Sequence, residues 1–154
     1  MIVLNKFVCY VTVLVLTVIQ KIPPVAPQAI SVITETLKTV NLGGTVELTC
    51  TYDTTTRRED IRIYWLKVKA QGDELILEIP DESTSVVHDP YKGRFKRQGD
   101  NNLEINDVVL ADAGLYKCNV TTKGVIIQSS SSAVELVVNG TCIPWQMINF
   151  NNKI

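Results

Sequence analysis

Side chains that could do chemistry are few. His88 is the only histidine of the 154 residues. It falls in a polar stretch, Thr84-Ser-Val-Val-His88-Asp89, where no Ser–His–Asp or Cys–His relay can be assembled around it. Metal binding fares no better, because the chain offers a single imidazole and no cysteine pair at zinc spacing. No catalytic residue, no metal and no cofactor is therefore assigned, and the chain reads as a binding protein rather than an enzyme. The four cysteines are Cys9, Cys50, Cys118 and Cys142. The remaining chemistry is modification: Asn119-Val-Thr121 and Asn139-Gly-Thr141 both fit the acceptor motif for N-linked sugar.

Charge narrows the partners. The formal net charge is −1. Losing an N-terminal segment that holds Lys6 and Lys21 would leave the rest slightly acidic. A phosphate-binding face needs a surplus of Lys and Arg, so nucleic acid is excluded as the main partner. The run Lys92, Arg94, Lys96 and Arg97 could bind acidic polysaccharide, but it reads better as a solvated strand face.

Apolar residues run from Phe7 to Ile19 behind Lys6, and a stretch this short reads as a signal-peptide core rather than a bilayer span. Residues 1–26 are expected to be a signal peptide with a Pro-rich lead-in, cleaved between Thr17 and Ala29. An uncleaved signal anchor that tethers the chain to a membrane is the alternative. No second apolar stretch follows, so the mature product is expected to be secreted, with no transmembrane segment and a short polar tail over 140–154. Export into an oxidising compartment favours disulfides. With Cys9 in the signal, three cysteines remain and one is odd. An odd cysteine in an exported chain points to an intermolecular bond. Which of the three is odd stays open on the residues alone; were it Cys142, in the tail, it would join two copies as a homodimer, the other outcomes being a mixed disulfide or a free thiol.

Between these ends lie short runs with period-two alternation, set apart by turn signals, which is the pattern of an all-β sandwich. Thr45–Tyr52 places Val46, Leu48 and Cys50 on one face. Ile61–Val68 turns Ile61, Ile63 and Trp65 one way. Further strands are expected at Ile30–Ile33 with Leu37–Val40, Glu74–Ile79, Ser83–His88, Arg94–Gln98, Asn102–Asn106, Gly114–Thr121 and Ala133–Val138. That gives about nine strands, more than a constant-type sandwich has. Ser129–Ser132 reads as the end of a loop.

Cys50, Trp65 fifteen residues later, and Asp112-Ala-Gly114-Leu-Tyr116-Lys-Cys118 together resemble the immunoglobulin V-set family over about residues 30–138. The resemblance implies an antiparallel two-sheet domain spanning 27–139, closed by a Cys50–Cys118 disulfide with Trp65 packed against it. It implies that the Tyr116 hydroxyl bonds back to the chain upstream, that Gly114 makes the turn before it, and that Arg94 pairs with Asp112. The last strand lacks the Gly-x-Gly opening of rearranged antigen receptors. The resemblance is thus to germline-encoded receptor-like proteins.

What such a domain does is bind. The resemblance implies an immune or cell-recognition role with a protein ligand or receptor as partner. Contact would come from the Asp53–Asp60, Asp81–Ser85 and Thr122–Ser129 loops, or from an outer sheet face carrying Tyr64, Leu66, Leu115 and Lys117. A self-associating adhesion module without a separate ligand is the alternative. Asn119 points onto the same outer face, where a glycan would obstruct docking. Its sequon lies inside a strand beside a disulfide and is expected to be used in part or not at all. Asn139, expected in an exposed tail after the last strand, would then carry most of the sugar.

Overall fold

A computed structural model describes residues 29–140. The expected signal segment, Cys142 and the rest of the tail lie outside the described residues. Eleven strands form: β1 (Ser31–Thr34), β2 (Leu37–Asn41), β3 (Val46–Leu48), β4 (Cys50–Asp53), β5 (Ile61–Lys67), β6 (Glu74–Ile79), β7 (Val86–Val87), β8 (Phe95–Gln98), β9 (Asn102–Ile105), β10 (Gly114–Thr122) and β11 (Ser129–Asn139). One-turn 3-10 helices occupy Arg58–Asp60 and Leu110–Asp112. No helix among the described residues is long and apolar enough to cross a membrane.

The strands make two layers. One is a six-stranded sheet in the order β2-β11-β10-β5-β6-β7, in which β2 runs parallel to β11 and the other pairs are antiparallel. The other combines the pair β1-β4 with the three-stranded set β3-β9-β8. Only Thr49 separates β3 from β4 along the chain. The core is shared by Leu48, Cys50, Phe95, Leu103 and Ile105 from this layer and Ile61, Ile63, Trp65, Tyr116, Cys118 and Leu136 from the six-stranded sheet. Period-two alternation puts each strand's apolar set on its inner face. β10 shows it cleanly, with Tyr116, Cys118, Val120 and Thr122 buried and the residues between them facing out.

The count exceeds nine because two expected strands are broken. The first changes layers: β1 pairs with β4, whereas β2 pairs with β11. Glu35 sits at this crossing. Its carboxylate accepts from the Thr49 N–H and hydroxyl, both at 3.4 Å, and from Lys38 at 3.1 Å. Thr49 is the residue at which the second strand breaks, so one side chain serves both interruptions.

Three local expectations differ from the structure. Ser129–Ser132 belongs to β11 rather than to a loop. A backbone ladder with β10 needs no apolar side chain, and the Ser132 hydroxyl meets that of Thr34 at 2.8 Å. The strand expected at Ser83–His88 shrinks to Val86–Val87, because the Asp81 carboxylate captures the Ser83 and Thr84 N–H groups at 2.9 and 2.8 Å and holds a turn there. Asn139 is the last residue of β11, not part of a tail. It pairs with Asn41, and its carbonyl accepts from the Leu42 N–H at 2.9 Å. In β6 the register slips opposite Trp65 and Leu66, which pair with Leu77 and Leu75. Ile76 is left without a partner on β5, and this bulge lets the consecutive Ile76 and Leu77 both be fully buried.

Candidate recognition surface

The sandwich is closed at its centre. Cys50 and Cys118 are bonded, with Cα atoms 6.3 Å apart and a sequence separation of 68. Trp65 pairs with Cys118 across β5 and β10 and is wholly buried. Its indole N–H donates to the Asn101 carbonyl at 2.7 Å, satisfying the one polar atom of the ring.

One corner is fixed by charge. Arg94 donates through both terminal nitrogens to Asp112, at 2.6 and 3.0 Å. Asp112 also accepts from the Val109 N–H at 2.8 Å, and the Tyr116 hydroxyl donates to the Asp112 carbonyl at 2.6 Å. Burial opposes the Asp112 charge, but the Arg94 hydrogen bonds and the Val109 N–H outweigh it, so its carboxyl titrates below the usual carboxylate range. Gly114, at φ +131°, turns the chain from this corner into β10, a conformation that side-chain-bearing residues rarely adopt.

The outer face of the six-stranded sheet holds Tyr64, Leu66 and Lys117 half-buried and Leu115 exposed. Lys117 stands opposite Leu66, Leu66 opposite Leu75, and Asn119 opposite Tyr64. Lys117 is tied down by an ion pair with Asp73. Leu115 lies farther along β10, opposite Glu135. The structure thus places Tyr64, Leu66 and Lys117 side by side and sets Leu115 toward one end.

The loops converge at one end of the sandwich. The β10–β11 loop is pinned at its neck: the Thr122 N–H donates to the Gln128 carbonyl at 2.9 Å, and the Gln128 N–H donates to the Thr122 hydroxyl at 2.9 Å. Lys123 joins it to the 3-10 turn before β5, its N–H donating to the Asp60 carbonyl at 2.7 Å and its ammonium to the Glu59 carbonyl at 2.9 Å. Above this neck project Val125, Ile126 and Ile127, with relative exposures of 104, 77 and 73 %. An open cleft of about 430 Å³ lies beside them, bounded by Arg62, Tyr64, Lys123, Gly124 and Ile127 among others. A second, of about 540 Å³, separates Arg57–Glu59 from Asp81–Ser83. Arg57 there is paired with both Glu59 and Asp60, at 2.6 and 3.1 Å.

The sequence marks Thr122–Ser129 as a contact loop without distinguishing residues within it, and its apolar residues, Val125 to Ile127, form the exposed tip between Gly124 and Gln128. Among the described residues no group of His, Cys, Asp and Glu could hold a metal ion. His88 lies at the sheet edge, with its Nε2 3.9 Å from Glu78.

Known proteins match this architecture. The immunoglobulin V-set domain model covers residues 33–139. The human cell surface A33 antigen is 30% identical over 102 residues, which are 62% of this chain and 32% of that protein. The human V-set domain-containing T-cell activation inhibitor 1 is 34% identical over 93 residues, 54% of this chain and 32% of that protein. The chain thus spans about a third of the length of these relatives. Among solved structures, murine CRIg superposes with a TM-score of 0.58 at 25% identity, over 72% of this chain and 98% of that one. The two tandem V-type regions of VCBP3, a v-region-containing chitin-binding protein, give a TM-score of 0.61 at 18% identity over 73% of this chain and 47% of that one, a likeness of fold alone. The model match runs the length of the sandwich just described, and the chain belongs to the immunoglobulin V-set family.

Proposed function

We propose that this protein is a secreted recognition module of the immune or cell-contact kind, without enzymatic activity, that binds a protein partner through the loop end of its sandwich. The observation that carries this is the exposure of Val125, Ile126 and Ile127 at 104, 77 and 73 % on a loop whose neck is hydrogen-bonded into the frame. A monomer gains nothing by holding three adjacent aliphatic side chains in water. A partner that covers them gains roughly 1.5–3 kcal/mol per side chain. The cleft beside the tip supplies part of the polar rim that surrounds such an anchor at protein interfaces, through Arg62 and Lys123. Relatives named for the cell surface and for inhibition of T-cell activation support the biological setting.

Self-association through the outer sheet face is the second reading, favoured by half-buried Leu66 and Tyr64 on that face with exposed Leu115 toward its end. Two measurements on the secreted protein separate the readings. Light scattering after gel filtration is expected to give no dimer that survives reduction of disulfides, and a screen against cell-surface ectodomains is expected to yield a heterologous partner. A tight non-covalent homodimer with no hit in the screen would replace the first reading with the second.

A further inference from the structure

The two sugar-acceptor asparagines lie on one face. In β10 the side chains of Leu115, Lys117, Asn119 and Thr121 alternate outward, while Val120 is buried. Asn119 pairs with Ser131 of β11, and from Ser131 to Asn139 the outward positions are the odd-numbered ones. Asn139 therefore projects from the same outer face as Asn119. Eight residues of strand separate Ser131 from Asn139, roughly 26 Å at 3.3 Å per residue. No described element covers this face, and the two acceptors stand toward its opposite ends.

Asn119 is also built to carry a substituent. Its side chain is only half-buried. Its Oδ1 accepts from the Ser129 hydroxyl at 2.8 Å, so the amide nitrogen, the atom that is glycosylated, is not the one engaged. Both Asn119 and Thr121 face outward, so a glycan attached to the extended chain is carried away from the core as β10 forms, and folding does not oppose it. Tyr64 lies directly opposite Asn119 on β5. Cross-strand neighbours stand about 5 Å apart at their Cβ atoms. The aromatic ring is thus within reach of the first sugar's apolar face.

We propose that Asn119 and Asn139 both carry N-linked glycans, which shield the outer face of the six-stranded sheet from its two ends and leave the Val125–Ile127 tip as the open apolar surface. At Asn119 this exceeds what the strand position suggests from sequence. A bulky, hydrated oligosaccharide at Asn119 stands over Tyr64 and beside Lys117, and blocks close packing of that face against another sheet. The inference rests on export of the chain, and its test separates the two.

The test is glycopeptide mass spectrometry, with non-reducing peptide mapping, on the full chain expressed in secretory animal cells, beside the variants Asn119→Gln, Thr121→Ala and Asn139→Gln. The expected result is sugar at both asparagines of the wild type. Asn119→Gln and Thr121→Ala should each lose the Asn119 glycan alone, and Asn139→Gln the other alone. A wild-type chain whose Cys50 and Cys118 are bonded but whose Asn119 is bare overturns the glycan proposal and leaves the extracellular reading intact. A chain recovered with both cysteines reduced and no sugar overturns the extracellular reading and the glycan proposal together.

Discussion

Arg94 grips Asp112 with both arms of its guanidinium, at 2.6 and 3.0 Å, and so ties the start of β8 to the turn that leads into β10. Asp112 is buried and Arg94 is partly exposed. A carboxylate inside the protein without its cation would be a buried, uncompensated charge. Charge-assisted hydrogen bonds of this geometry contribute about 1.5–3 kcal/mol. Arg94→Ala should therefore lower unfolding free energy by about 2 kcal/mol. Arg94→Lys should recover only part of it, since an ammonium cannot reproduce the planar fork. Urea denaturation of the three proteins measures both differences.

The same pair predicts a pH dependence. The folded Asp112 carboxyl titrates below its ordinary value, for the reasons given above. Its contribution is present above the unfolded-state value of about 3.9 and is lost as pH falls through the lower folded-state value. The stability gap between wild type and Arg94→Ala should thus be full at neutral pH and narrow below about pH 4. A gap that stays constant into that range would show that the lost stability came from packing of the Arg94 side chain and not from the charge pair.

Tyr116→Phe removes the hydroxyl that satisfies the Asp112 carbonyl and changes little else, because the ring is wholly buried. Leaving a buried acceptor unpaired costs about 1–3 kcal/mol. The variant should fold with an unchanged circular-dichroism spectrum and a lower urea midpoint. An unaltered midpoint would mean that water replaces the hydroxyl.

The disulfide can be removed without leaving a free thiol, as Cys50→Ala with Cys118→Ala. The loop between the two cysteines spans 68 positions. In the chain-entropy model its release costs about 4 kcal/mol, and a small domain loses most of its margin with that. The double variant should be largely unfolded at 37 °C. Thermal melts followed by Trp65 fluorescence read this directly.

Much of the frame could be read in advance because it rests on local alternation. Cys50, Trp65, Tyr116 and Cys118 occupy inward positions of strands whose period is visible in the residue types. Arg94 and Asp112, eighteen positions apart, could be joined only through family likeness, since no local rule predicts a pairing across two strands and a 3-10 turn. Ser129–Ser132 hid a strand, for a serine run has no apolar period. The common face of Asn119 and Asn139 follows from the register of β11 on β10, which the residues alone do not give. The Thr122–Ser129 loop is legible as a connection, but the residues at its tip are not: Val125, Ile126 and Ile127 look like core by type, and their location beyond the hydrogen-bonded neck of the hairpin puts them in water.

The Val125–Ile127 tip is the proposed contact. The deciding measurement is the affinity for the partner found among cell-surface ectodomains, compared between Val125→Asp with Ile126→Asp, on the loop, and Leu66→Asp with Leu115→Asp, on the sheet face. Each pair should first be shown to melt like wild type; the loop positions are exposed, so their stability should change by no more than about 0.5 kcal/mol. Truncating or charging an anchor at the centre of an interface typically costs 2 kcal/mol or more per residue, so the loop pair should weaken binding by about 100-fold or more. The sheet-face pair should change it by less than about threefold, as interface-remote substitutions do. Binding that survives the loop pair and is lost with the sheet-face pair would contradict the assignment and place recognition on the outer face of the six-stranded sheet.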